Sequence, residues 1–107
     1  MIKVKKRDGS IVEFDITKIE NAIAKAFESV NKNYSKDIIE LLALKVTATF
    51  NDKIVDEVIS VEEIQDTVEI VLIQTSYVDV AKSYILYRKQ HENIRNAKAT
   101  YLDYKDT

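Results

Sequence analysis

The chain contains no cysteine, no proline and a single glycine in 107 residues. Without cysteine there is no disulfide framework, no thiol nucleophile and no cysteine-based zinc site. One glycine is too few for a GxxxxGK(S/T) phosphate loop or a GxGxxG dinucleotide turn. One histidine, His91, leaves no multi-histidine metal cage and no alternative histidines for a Ser-His-Asp triad. Long apolar runs are missing too: the longest, Ile70–Ile73, is four residues, against the ~18 that a membrane span needs. Met1–Arg7 has no apolar core of a signal peptide, so a cytoplasmic, membrane-free protein is expected. With so few breakers, long helices are expected.

What remains is an ordinary soluble balance of 46% hydrophobic and 32% charged residues, enough for one domain. The net charge of −2 is unevenly spread. Residues 1–18 carry five cations against three acids, and residues 82–98 carry five cations against Glu92 alone. Between them, residues 19–81 hold five basic and twelve acidic groups. Two basic ends on an acidic body suit an anion held between them, or simply form solvated faces.

Ile2, Val4 and Lys6 alternate with Lys3, Lys5 and Arg7, and Asp8-Gly9 follows. Alternation into Asp-Gly and then Ile11–Phe14 predicts a β-hairpin over residues 2–14. Thr17-Lys18-Ile19-Glu20 has capping-box form, with Asp15 a competing cap. The stripe Ile19, Ile23, Ala26, Phe27, Val30 predicts a first helix, closed by Asn31–Asn33. Ser35 opens a second, with Ile38, Leu41, Leu42, Val46 and Phe50 as its apolar stripe. The β-branched run 53–59 predicts a third strand. Ser60–Glu63 caps a third helix with Val61, Ile64, Val68, Val71, Leu72 and Thr75 inward. Ser76–Asp79 is expected to cap a long fourth, with Val80, Tyr84, Tyr87, His91 and Ile94 inward and a continuation toward Thr100. The order β-β-α-α-β-α-α predicts an α+β fold, a four-helix bundle capped by a small three-stranded sheet.

The candidate chemistry is cationic. Lys6 and Arg7 stand beside the tight turn, where they hold an anion or merely guard a sheet edge. Lys18 opens the first helix, where free N–H groups favour phosphate. Arg88-Lys89 lies late in the fourth helix, where cations also complement the dipole. Tyr84, Tyr87, Tyr101 and Tyr104 read as packing or stacking residues, and His91 as a packed histidine. Glu62-Glu63 is explained by capping. No nucleophile–base pair is present, so catalysis by this chain and a protein metal site are not expected.

Val4-x-Lys6-Arg7-Asp8-Gly9, then Phe14-Asp15-x-x-Lys18-Ile19, resembles the ATP-cone, the regulatory nucleotide-binding domain of ribonucleotide reductases. The likeness continues through Ile64-Gln65-Asp66-x-Val68-Glu69 and Val80-Ala81-Lys82-x-Tyr84-Ile85-Leu86-Tyr87-Arg88. Residues 99–107 resemble the entry to the anaerobic class, so 1–97 is taken as the cone and 98–107 as the start of a linker. The resemblance implies a domain that binds ATP or dATP, with Mg2+ carried by the triphosphate. It implies a catalytic domain as partner and nucleotide-dependent homo-oligomers, not nucleic acid. By position, Lys6, Arg7, Lys18 and Lys89 would grip phosphate. Val4, Ile19, Val61 and Ile64 would hold adenine, with Asp15 at its polar edge and Gln65 toward the sugar. Val12 and Gln65 depart from the carboxylate and histidine of some members. The other readings are a cone from a transcriptional repressor of reductase genes, and a helical interaction module without nucleotide selectivity.

Overall fold

The computed structural model describes residues 1–105, without the side chains of 93 and 95–105. The alternating start of the chain forms β1 (Lys3–Lys5), which turns back into β2 (Ile11–Glu13). Lys3, Val4 and Lys5 lie opposite Glu13, Val12 and Ile11. Gly9 closes the turn at φ 90°, and its N–H donates to the Lys6 carbonyl at 3.0 Å. No heavy atom lies within 4 Å of where a Cβ would sit, so backbone conformation alone demands glycine here.

Four helices follow: α1 (Ile16–Ser29), α2 (Lys36–Phe50), α3 (Val61–Gln74) and α4 (Val78–Lys105). They pack in a ring, α1 on α2, α2 on α3, α3 on α4 and α4 on α1. Asp15, not Thr17, caps α1, accepting from the Thr17 amide at 3.0 Å. The helix therefore starts one residue before Thr17, which is already inside it. Ser35 and Ser60 cap α2 and α3 as expected, accepting from Ile38 and Glu63 amides at 3.2 and 3.1 Å.

The third strand is shorter and later than 53–59. A 3-10 turn takes Asn51–Lys53, and β3 is Val58–Ser60, parallel to β1 with Val4 beside Ile59. The sheet order is β2-β1-β3, and Val4 and Ile59 are buried beneath the helices. What interrupts the β-branched run is a tight reversal at Asp56-Glu57. Both take positive φ, 52° and 66°, while Val55 and Val58 exchange backbone bonds of 3.0 and 2.9 Å. This is a two-residue primed turn without its usual glycine.

Scarcity of glycine shows again at helix ends. Asn31 (φ 56°) ends α1, and Ser76 (φ 69°) ends α3. In each case the next amide reaches back: Lys32 to Phe27 O at 3.0 Å and Tyr77 to Leu72 O at 2.9 Å. These are left-handed closures with Asn and Ser in the glycine position. Ser76 thus closes α3 and does not cap α4 as its box form suggested.

The core is built from Ile23, Phe27, Ala43, Val46, Phe50, Val68, Leu72 and Val80, with their neighbours. In α2 the buried stripe is Ile39, Leu42, Ala43, Val46, Phe50, whereas Leu41 is exposed. The doublets Ile38-Ile39 and Leu41-Leu42 left the phase of this helix open, and packing chose the later residue of each. In α4 the inward stripe stops at Tyr84: Tyr87, His91 and Ile94 are exposed. Helix α4 is 28 residues and outruns its 14- and 15-residue neighbours, so its distal half has no bundle to enter. His91 is therefore not packed in the core; its ring lies 4.2 Å from the ring of Tyr87. The helix continues toward and beyond Thr100, to Lys105, so the residues taken as the start of a linker are helical as far as Lys105. The side chains of Tyr101 and Tyr104, and residues 106–107, lie outside the described residues.

Candidate functional site

The hairpin, α1 and α3 meet around a cavity of about 260 Å³. Alternation along β1 turns Val4 and Lys6 to this side. The first turn of α1 adds Asp15, Lys18 and Ile19, and the first turn of α3 adds Val61, Ile64 and Gln65. Eight of the ten residues marked from the sequence thus line one space. The volume lies just below the ~300–1,000 Å³ of sites that enclose a drug-sized ligand. It suits the compact apolar part of a ligand, with the remainder at the mouth.

The lining is apolar at its base and charged at its entrance. Val4, Ile19 and Ile64 are buried, whereas Lys6, Asp15 and Lys18 are exposed. The Asp15 carboxyl sits below its usual range because it accepts from the Thr17 hydroxyl and amide, so it stays ionised at neutral pH.

Arg7 does not line the cavity but reaches its rim. Its Nη2 donates to Gln65 Oε1 at 2.7 Å, and its Nε donates to Glu62. Gln65 spends its carbonyl on Arg7, so its amide N–H groups remain as donors beside the cavity. Lys89 is exposed and lines neither this cavity nor the larger one below.

Its neighbour Arg88 instead turns inward. It donates to Glu62 Oε2 and Asp66 Oδ1, both at 2.7 Å, and to Glu69 Oε1 at 3.1 Å. The two basic ends of the chain do converge, and the Glu62 carboxylate stands between them. Arg7 and then Arg88 hold that carboxyl below its usual range. Burial works against the charge of Arg88, but its bonds to Asp66, Glu62 and Glu69 more than offset this.

The capping role of Glu62 hid this second role in the sequence. Tyr84, one of the packing or stacking tyrosines, lines this cavity and also a groove of about 860 Å³ between α1 and α4. Lys18 and Ala22 are shared in the same way. Burial raises the Tyr84 phenol well above its usual range, so it remains protonated. Among the described residues, no group of three histidines or acids is placed to hold a metal ion. Nor is any helix among them long and apolar enough to cross a membrane.

The family model described as ATP cone domain matches residues 2–93. The chain belongs to the ATP-cone family. As a cone it is a regulatory unit and not a catalytic one. A vitamin B12-dependent ribonucleoside-diphosphate reductase of Thermoplasma acidophilum is 51% identical over 104 residues, covering 92% of this cone and 13% of that protein. The ribonucleoside-diphosphate reductase subunit alpha of Chlamydia pneumoniae is 35% identical, covering 92% and 10%. An anaerobic ribonucleoside-triphosphate reductase of Haemophilus influenzae is 33% identical over 97 residues, covering 88% and 13%. The cone thus spans only 10–13% of the length of these relatives. The likeness to the anaerobic enzyme is present, but the B12-dependent relative is the more similar of the two.

Proposed function

We propose that this cone binds ATP and dATP in the 260 Å³ cavity and thereby regulates the catalytic part of a ribonucleotide reductase. One observation carries the reading: a buried apolar pocket opens beside cations contributed by separate elements. Val4, Ile19, Val61 and Ile64 offer adenine an apolar slot. Asp15 accepts at its polar edge, and the Gln65 amide donates toward the sugar. Lys6, Lys18 and Arg7 meet the phosphates. With one glycine the backbone cannot wrap a triphosphate, so charged side chains must do so. Lys89, exposed beside Arg88, is assigned as an outer phosphate contact. Mg2+ travels with the triphosphate, whose oxygens are the hard ligands it prefers.

The higher identity to the B12-dependent relative supports a parent enzyme of that kind over the anaerobic kind. Regulation through nucleotide-dependent self-association is part of the same reading, and size-exclusion with dATP tests it.

Thermal unfolding tests binding. A ligand at 100 times its Kd stabilises by about 2.7 kcal/mol, roughly 10 °C or more for a domain this small. ATP and dATP raise the midpoint, while GTP and inorganic triphosphate raise it less. Equal shifts with triphosphate alone would favour a selectivity-free anion-binding module instead. The double variant Lys6→Glu, Arg7→Glu loses the shift and keeps a cooperative transition.

A further inference from the structure

Arg7 presents its Nε and Nη2 to two acceptors, Glu62 and Gln65. That edge of the guanidinium is the fork that matches a phosphate or carboxylate in two parallel bonds. A phosphate that takes Arg7 by the fork must therefore displace Glu62. The structure shows why Glu62 can give up Arg7 without being left alone. Its other oxygen accepts from Arg88 at 2.7 Å. Arg88 is the better buried of the two arginines, with its side chain 17% exposed against 30% for Arg7. It is anchored further by Asp66 and Glu69. Arg7 has no second acid among the ion pairs of the described residues. Release of Arg7 thus breaks one ion pair and leaves the cluster on α3 and α4 standing.

We infer that Glu62 is an internal competitor for Arg7: a built-in carboxylate that the nucleotide's phosphate displaces, and that sets how tightly the cone holds its ligand. The inference rests on the proposed nucleotide reading. It makes Glu62 an affinity-determining residue that never touches the ligand. Breaking the Arg7–Glu62 pair opposes binding, while Arg88 still neutralises the freed Glu62 carboxylate.

The test is a calorimetric titration of the 107-residue chain with ATP and Mg2+. Glu62→Gln keeps the shape and removes the charge, while Arg88 keeps Asp66 and Glu69. Displacing a half-exposed pair predicts a tightening of roughly two- to five-fold. Asp66→Asn removes an equal charge from Arg88 without touching Arg7 and leaves the Kd within error. In an Arg7→Ala background, Glu62→Gln has no effect, which is the signature of competition for Arg7 itself. Unchanged or weaker binding by Glu62→Gln overturns the inference and makes Glu62 a support for Arg7. Equal tightening by Asp66→Asn, or persistence in the Arg7→Ala background, overturns it in favour of general charge repulsion. If Glu62→Gln folds poorly, Glu62→Asp takes its place: the shortened side chain loses Arg7 and tightens binding in the same direction. Absence of binding by the unaltered chain is a different result, since it removes the nucleotide reading itself.

Discussion

The turn at Asp56-Glu57 invites a direct perturbation, because two residues with side chains occupy a conformation that glycine adopts freely. Glu57 sits at φ 66°. For an L-residue this region costs about 1–2 kcal/mol. Glycine removes that cost but adds about 0.5–1 kcal/mol of unfolded-chain entropy. The net expected for Glu57→Gly is a stabilisation of about 0.7 kcal/mol, from the difference of these terms. The backbone has nothing to lose, since the bond from the Lys3 amide to the Glu57 carbonyl, 2.7 Å, survives the change. The side chain contributes only a 3.8 Å approach to the terminal amine, with both partners more than 70% exposed. At about 4–8 °C per kcal/mol for a domain near 100 residues, the midpoint rises by roughly 3–6 °C. Thermal unfolding followed by circular dichroism measures it. Glu57→Ala is the control: it removes the same side chain without granting the backbone freedom, so it gives no rise. Neither Asp56 nor Glu57 lines the cavity, so ATP affinity stays the same. A fall in midpoint for Glu57→Gly, or an equal rise for Glu57→Ala, refutes the account of this turn.

Arg88→Leu leaves Glu62, Asp66 and Glu69 without their shared cation and destabilises by about 2 kcal/mol, between surface and buried ion-pair costs because the acids are partly hydrated. The loss has a pH signature. The Glu62 carboxyl lies below its ordinary value of 4.5, held there first by Arg7 and then by Arg88, so the Arg88 share of its contribution is present above that pH and disappears as pH falls through the lowered value. The gap between the two proteins in urea midpoint therefore narrows below about pH 4.5, and a constant gap down to pH 3 would contradict the pairing. Ile23→Ala empties a site with no solvent exposure at the centre of the ring of helices and costs about 3 kcal/mol in chemical denaturation.

Much of the architecture was legible as pattern. Alternation into Asp8-Gly9 named the hairpin, and Ser35 and Ser60 marked two helix starts. The misreadings share a cause. Asp56, Glu57 and Ser76 adopt left-handed backbone without a glycine to announce it, so one turn was read as strand and one helix end as a helix start. Leu41 and Ile39 differ in burial only because neighbouring helices fix the rotation of α2. His91 follows the helical stripe perfectly, but a stripe reports periodicity and not whether a partner helix is still alongside.

The candidate site divides along the same line. Residue type and short-range spacing by themselves singled out Lys6, Arg7 and Lys18 as candidate anion-binding cations, and the resemblance to ATP-cones added Val4, Ile19 and Ile64 as an apolar set. The cations are a local matter of alternation, first-turn position and the absence of a glycine loop. Only the tertiary structure decided that Arg88, and not Lys89, turns inward, and that Glu62 joins it to Arg7. Residues 7, 62 and 88 are separated by 55 and 26 positions in the chain. Their meeting depends on how the hairpin, α3 and α4 pack, which no local pattern encodes.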